Sequence, residues 1–158
     1  MKQYILDIQM GTMQEEPIQG KRSWSGTENQ QENKCLILAV TLKEFEESEI
    51  LHPCKKELLH SLTCEKYCKV EFFHNCIQGI IRSPLTNGHK QKPFLFGFLL
   101  YQNMLWFVSD DTKLPNMVEQ IQKELYEGFS IQDFLLAFFN YLIEKDMSFL
   151  QKIEDGLE

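Results

Sequence analysis

The sequence contains no run of about 20 unbroken apolar residues, which is the length that a helix needs to span a bilayer. The longest apolar stretch, residues 94–108, is too short and is interrupted by Gln102 and Asn103. Residues 1–10 also lack the basic segment followed by an apolar segment that marks a secretory signal. We therefore expect a soluble chain, and any membrane-spanning part must lie outside these 158 residues.

Positive charge is also scarce. The chain has 16 Lys and Arg against 23 Asp and Glu, which gives a net charge of −7 and a pI near 5.2. Binding to a nucleic-acid backbone depends on a surplus of basic side chains that displace counterions. The composition therefore argues against nucleic acid as a partner and permits a surface that attracts cations.

The motifs of common catalytic sites are missing as well. Glycine is sparse, with 8 residues, and no glycine-rich turn opens a helix to cradle a phosphate. No nucleophile elbow surrounds a serine or cysteine, as a catalytic triad would require. We therefore expect a protein that is not an enzyme.

What the sequence does have is an odd number of cysteines, five, in a chain without a secretory signal. This favours a reduced, cytosolic setting in which most thiols act as small buried groups. Zinc is an alternative, but no second Cys or His pair follows Cys64 and Cys68 at a finger-like spacing. The candidate ligands for zinc are His52, Cys54, His60, Cys64, Cys68 and His74.

Two adjacent acidic pairs are also candidates for a hard cation, which prefers oxygen ligands. They are Asp110 with Asp111 and Glu154 with Asp155. Such pairs are more often solvated charge, so they remain weak candidates.

Residues 130–158 have the pattern of one long amphipathic helix, with Ser130 as its N-cap and Asp133 three residues later. At 1.5 Å per residue it would reach roughly 40 Å. Two interpretations stay open: an ordinary packing helix, or the first part of a helix that continues in a longer protein. The apolar residues on its predicted face are Ile131, Phe134, Leu135, Phe138, Leu142, Phe149, Leu150, Ile153 and Leu157.

The rest of the chain predicts an α+β fold, an α/β/α sandwich with a mixed, largely antiparallel sheet covered by helices on both faces. We expect residues 1–129 to form this domain, with a flexible loop at 11–33, and residues 130–158 to begin a stalk. Thr41 and Glu44 are expected to form a capping box. The predicted strands are 4–8, 35–40, 67–73, 76–82, 94–101 and 104–108, and the predicted helices are 42–50, 53–62 and 115–126.

Several motifs resemble, in order and spacing, those of the CorA family of divalent-cation transporters. They are ILHP at 50–53, ELL at 57–59, KVEFFHN at 69–75, an apolar hairpin over 96–110, and FLL, LIE, FL and IED within 134–155. The Gly-Met-Asn pore motif and the two spanning helices of the family are absent from these residues. The resemblance covers most of residues 35–158.

The resemblance implies a cytosolic ion-sensing domain of a magnesium transporter in the inner membrane of a bacterium or archaeon. Family members are pentamers that conduct Mg²⁺, and sometimes Co²⁺ or Ni²⁺, while the ZntB branch moves Zn²⁺. Divalent ions bound between neighbouring subunits bridge carboxylates and so bias a two-state interface. The partners implied are therefore divalent cations and further copies of the chain.

Carried over residue by residue, the implied metal ligands are Glu57, Asn140 and Glu144. The family's acid at the first site falls on Leu58, which reads as a core residue. Asn140 offers a carbonyl ligand without charge, so ion regulation is expected to be weaker than in the family. Two alternatives remain: a zinc transporter domain of the ZntB type, or a free-standing interaction domain that self-associates through its phenylalanine-rich helix.

Overall fold

In the part of the chain that the structure describes, seven strands form one mixed sheet in the order β2-β1-β3-β7-β6-β5-β4. The computed structural model describes residues 1–17, 33–49, 54–64, 67–73, 75–83 and 94–157. In these ranges β3 and β7 run parallel and every other neighbouring pair is antiparallel. The strands are Lys2–Asp7 (β1), Thr12–Glu16 (β2), Lys34–Val40 (β3), Lys69–Phe73 (β4), Cys76–Ser83 (β5), Phe94–Tyr101 (β6) and Met104–Val108 (β7).

Helices cover both faces of the sheet, which confirms the predicted α+β class. One face packs against α1 and α2, and the other packs against α3 and α4. The helices are Leu42–Glu47 (α1), Cys54–Cys64 (α2), Leu114–Gln120 (α3) and Ile131–Leu157 (α4), with a 3₁₀ turn at Ile121–Glu124.

The two predicted helix starts are confirmed. Thr41 Oγ1 accepts a hydrogen bond from the Glu44 N–H, and a Glu44 carboxylate oxygen accepts one from the Thr41 N–H. Ser130 and Asp133 exchange the same pair of bonds at α4. Each box satisfies N–H groups that have no partner inside their helix.

The face covered by α3 and α4 is rich in phenylalanine. Phe138 packs its ring 4.3 Å from that of Phe107 and 5.3 Å from that of Phe96, measured between centroids. These side chains are fully buried. Aromatic pairs in such offset and edge-to-face arrangements contribute beyond their buried area.

The predicted loop at 11–33 is wrong for its first part, because Thr12–Glu16 forms the edge strand β2. Its side chains are polar and mostly exposed, and only Met13 is buried, so the strand carries little apolar signal. Gly11, at φ +60°, closes the turn between β1 and β2 where a Cβ would meet the backbone of Tyr126. Residues 18–32 lie outside the described residues.

Two further expectations need correction. The helix predicted over 115–126 ends as α3 at Gln120 and tightens into a 3₁₀ turn, where the Ile121 N–H bonds to the carbonyls of Val118 and Glu119. At Gln102-Asn103 the sequence favours asparagine for the left-handed conformation that a tight hairpin needs. The structure instead places Gln102 in this region, at φ 53°.

Reduced thiols were expected, yet the structure joins Cys54 of α2 to Cys76 of β5 in a disulfide. Both residues are buried in the core on the α1 and α2 face. Cys35 is a buried free thiol, and burial raises its pKa to about 11, so it stays protonated. Cys64 and Cys68 are exposed, while the other three cysteines are buried, as expected for most of them.

Candidate functional site

Glu57 lies on the exposed side of α2, one residue before a buried leucine. Leu58 is 1% exposed and packs where Gly97 of β6 leaves room, since a Cβ on Gly97 would lie 3.0 Å from Leu58 Cδ1. The structure therefore confirms Leu58 as a core residue. Substituting an acid there would bury a charge among apolar side chains.

Asn140 and Glu144 lie one turn apart on the exposed side of α4. Because α2 and α4 cover opposite faces of the sheet, Glu57 is separated from this pair by the sheet itself. The three predicted ligands therefore do not form one site within a single chain. Their role as metal ligands stays a prediction.

Among the side chains that the structure describes, those on the predicted apolar face of α4 are buried as far as Leu142. Beyond that point Leu150, Ile153 and Leu157 are exposed. Three residues outside the predicted face, Leu136, Ile143 and Met147, form a row of exposed apolar side chains with Leu150. Their spacings of seven, four and three place them along one side of the helix. We call this row the outer stripe, and it consists of Leu136, Ile143, Met147 and Leu150.

The predicted ion ligands of α4 lie beside the outer stripe. Asn140 is four residues after Leu136 and three before Ile143, while Glu144 is three residues before Met147. Residues at these spacings are neighbours on a helix surface. Any chain that covered the outer stripe would therefore approach both polar side chains.

A polar cavity opens between α2 and the sheet edge formed by β4 and β5. Glu57, Glu71, Phe72 and Gln78 line its volume of about 400 Å³. Sequence analysis missed Glu71 and Gln78, because only the β4–β5 register shows that they are cross-strand partners. The only hint in the sequence was the alternation of polar and apolar residues along β4, which places Lys69 and Glu71 on the same face of the sheet.

A second cavity, of about 450 Å³, lies beside β1, β2 and α3. Glu119 accepts hydrogen bonds there from Lys2 Nζ at 2.6 Å and from the Tyr4 hydroxyl at 2.9 Å. The hydrogen bond from Lys2 is the main cause that lowers the pKa of Glu119. Burial, followed by the bond to Glu119, raises the pKa of Tyr4 above its ordinary range. This network ties α3 to the sheet and leaves its polar groups paired.

Three carboxylates of the two acidic pairs accept hydrogen bonds within the protein. Asp110 Oδ1 accepts a hydrogen bond from the Leu42 N–H at 2.9 Å, and Asp111 Oδ1 accepts one from the Lys113 N–H at 2.9 Å. Asp110 thus joins the end of β7 to the start of α1. Asp155 accepts a bond from Gln151 within α4.

The described residues contain no assembled zinc site. Within them, no three or more His, Cys, Asp or Glu side chains lie close enough together to hold a metal ion. Cys54 is in a disulfide, and the exposed Cys68 thiol accepts a hydrogen bond from the Arg82 N–H. His52 and His74 lie outside the described residues. Among the described helices, none is long and apolar enough to cross a bilayer.

Comparisons by sequence found no match, neither to a known protein family nor to a curated protein. Comparisons with solved structures did find matches across nearly the whole chain. The soluble domain of CorA from Methanocaldococcus jannaschii is 14% identical with a TM-score of 0.61, over 98% of this chain and 61% of that one. The cytoplasmic domain of ZntB from Vibrio parahaemolyticus is 14% identical with a TM-score of 0.66, over 99% of this chain and 63% of that one.

The full-length CmaX protein is also similar, at 10% identity and a TM-score of 0.72, over 99% of this chain and 49% of that one. This chain therefore spans about half to under two thirds of the length of these structures. At such identities the likeness concerns the fold. The chain has the fold of the CorA soluble domain, which confirms at that level the resemblance drawn from the motifs.

Proposed function

We propose that this chain is the cytosolic domain of a divalent-cation transporter of the CorA type, in which other parts of the protein conduct the ion. The fold supports this, because the likeness to the soluble domain of CorA extends over 98% of the chain. The motif order in residues 50–155 points independently to the same family.

The observation that carries the proposal is the second half of α4. This helix has 27 residues, about 40 Å at 1.5 Å per residue. After Leu142, the apolar side chains that the structure describes are exposed, namely Ile143, Met147, Leu150, Ile153 and Leu157. A helix that extends beyond its own domain with exposed leucine, isoleucine and methionine suits a stalk packed against copies of itself. Such a stalk would transmit the state of the domain to a pore.

Ion sensing is proposed to occur between chains. Glu57 and the pair Asn140 and Glu144 lie on opposite faces of the sheet, so they cannot share one ion within a chain, and we propose that a neighbouring chain supplies further ligands. Mg²⁺ prefers oxygen ligands and often retains waters, which suits a carboxylate and an amide carbonyl. With Leu58 and Asn140 in place of acids, fewer like charges repel in the ion-free state, and control by Mg²⁺ is expected to be weak.

The test is flux through the intact protein. The protein encoded by the complete gene, in liposomes loaded with a magnesium-sensitive dye, should admit Mg²⁺ when a gradient is applied. Glu144→Gln should leave the fold unchanged and alter the Mg²⁺ concentration at which flux declines, while Gln151→Glu on the same helix serves as a control. A complete gene without two apolar spans after this domain would refute the proposal.

Two alternatives make different predictions in the same experiments. A transporter of the ZntB type, favoured by the likeness to the ZntB domain at the same 14% identity, would pass Zn²⁺ in preference to Mg²⁺. A free-standing interaction domain, favoured by the outer stripe, would show no flux. Its assembly, measured by light scattering, would be independent of every divalent ion.

A further inference from the structure

The two edge strands of the sheet, β2 and β4, differ in what protects them. An edge strand presents backbone N–H and C=O groups to any chain that can add a further strand, and natural proteins usually block it with charge, proline or a covering segment. In β2 every side chain except Met13 is exposed and polar, and the strand ends on Glu15 and Glu16. In β4 the exposed side chains include apolar ones, since Val70 is 52% exposed and Phe72 is 82% exposed. Of the two edges, β4 is therefore the better template for a further strand.

The backbone of β4 has hydrogen-bonding groups on its outer side. The carbonyl oxygen of Lys69 faces β5, because it lies against the position that a Cβ on Gly79 would take. Backbone direction alternates along an antiparallel strand, so the N–H and C=O groups of Val70 and Phe72 point away from β5. β4 is the last strand in the sheet order, and no other described strand pairs with that side.

The side chains of β4 indicate which strand would fit there. Lys69 and Glu71 lie on one face of the strand, and Val70 and Phe72 lie on the other. In a second, antiparallel copy of β4 with Val70 opposite Val70, each Lys69 lies opposite the Glu71 of the other chain, and such opposite charges attract. A shift of two residues in either direction places Glu71 opposite Glu71 or Lys69 opposite Lys69, which is destabilising. β2 contains no basic residue, so a second copy of β2 would meet it with acids alone.

We propose that β4 pairs with β4 of a second copy of this chain, in this register, so that two sheets join across a two-fold axis at Val70. The pairing satisfies the outward backbone groups and covers part of the exposed apolar side chains. A strand of 5 residues is much smaller than the roughly 20–30 residues a side of a stable interface, so the pair is weak and depends on concentration. The proposal does not rest on ion binding or transport, and its failure would leave the proposed function untouched.

The test reverses the charges of β4 one at a time. Lys69→Glu makes both members of the charge pair acidic, and Glu71→Lys makes both basic, so each variant alone should dimerise about tenfold more weakly. An equimolar mixture of the two variants restores opposite charges only between chains, and it should recover the association. Sedimentation equilibrium up to about 1 mM measures these affinities. Ile143→Asp is included in every chain to weaken association through the outer stripe.

Two control variants separate pairing from damage to the fold. Glu16→Lys reverses an exposed charge on the other edge strand and should leave dimerisation unchanged. Phe72→Ser should weaken dimerisation while the melting temperature of the monomer stays level, because this side chain is largely in solvent.

Three results would overturn the proposal. The first is a chain with intact β4 that stays monomeric at about 1 mM, which would leave the edge to a strand of another protein. The second is equal association of the intact chain and both charge variants. The third is a mixture of the two variants that associates no more strongly than either variant alone.

Discussion

The two halves of α4 contain similar side chains in entirely different surroundings. In residues 131–142, Phe134 and Phe138 are fully buried against the sheet. In residues 143–157, Ile143 is 58% exposed and Leu150 is 53% exposed. Both halves are amphipathic, and one continuous helix connects them without a proline. Periodicity thus shows that a helix has an apolar face, and tertiary structure decides whether anything covers it.

This difference separates two sources of helix stability. The first half is held by packing, because its apolar face belongs to the phenylalanine-rich core. The second half has no such cover among the described residues, and isolated helices of that length are marginal in water. Its order depends on the half that precedes it and, by our proposal, on neighbouring chains.

The largest expected effect on stability comes from removing a buried side chain from the first half of α4. Phe138→Ala should lower the free energy of unfolding by about 3–5 kcal/mol, because it leaves a cavity between Phe96 and Phe107. Urea denaturation monitored by tryptophan fluorescence measures this loss. Ile143→Ala, in the exposed half, is the matched control and should change stability by about 0.5 kcal/mol or less. Equal losses in the two variants would contradict the distinction between the halves.

A moderate effect is expected at the start of the packed half. Ser130→Ala removes the hydroxyl that caps α4 and should cost about 1 kcal/mol. Thr63→Ala is the control and should cost less, because the exposed Thr63 hydroxyl donates to carbonyls of its own helix, lies 3.5 Å from Cys64 Sγ and caps no helix start.

The same cap should respond to acid. Hydrogen bonds from the Ser130 side chain and backbone hold the pKa of Asp133 below its ordinary value of 3.8. A carboxylate with a lowered folded-state pKa stabilises the fold above its unfolded pKa, and this contribution disappears as the pH falls through the folded pKa. The stability that Asp133 contributes, measured as the difference from Asp133→Asn, should therefore shrink below about pH 4. A difference that stays constant down to pH 2 would contradict this assignment.

Much of the fold follows from local patterns in the sequence. The strands β6 and β7 begin and end where their apolar runs predict, and both capping boxes form at Thr41 and Ser130. The strand β2 escapes prediction because an edge strand with one buried methionine has almost no apolar alternation. Its position is set by pairing with β1, which a local pattern does not contain.

The candidate sites were less predictable, for a geometric reason. Motif spacing locates Glu57, Asn140 and Glu144 along the chain, but the face of the sheet that each helix covers depends on the path of the connections. The cavity at Gln78 requires the register of β4 against β5. A one-residue slip in that register would turn Gln78 away from Glu71, so the site exists only at the level of tertiary structure.

The smallest effect on stability, and the sharpest test of the comparison, is expected in the outer stripe. Ile143→Asp places a charge in a side chain that already contacts solvent, so the folded monomer should lose about 0.5 kcal/mol or less. If the stripe is an interface, the same charge becomes costly once a second chain covers it, since it would be desolvated without a partner. Light scattering should therefore show weaker self-association for Ile143→Asp than for Ser148→Asp, which adds the same charge on another side of the helix. Equal association of both variants would mean that the stripe stays in water, and the second half of α4 would then need a different cover.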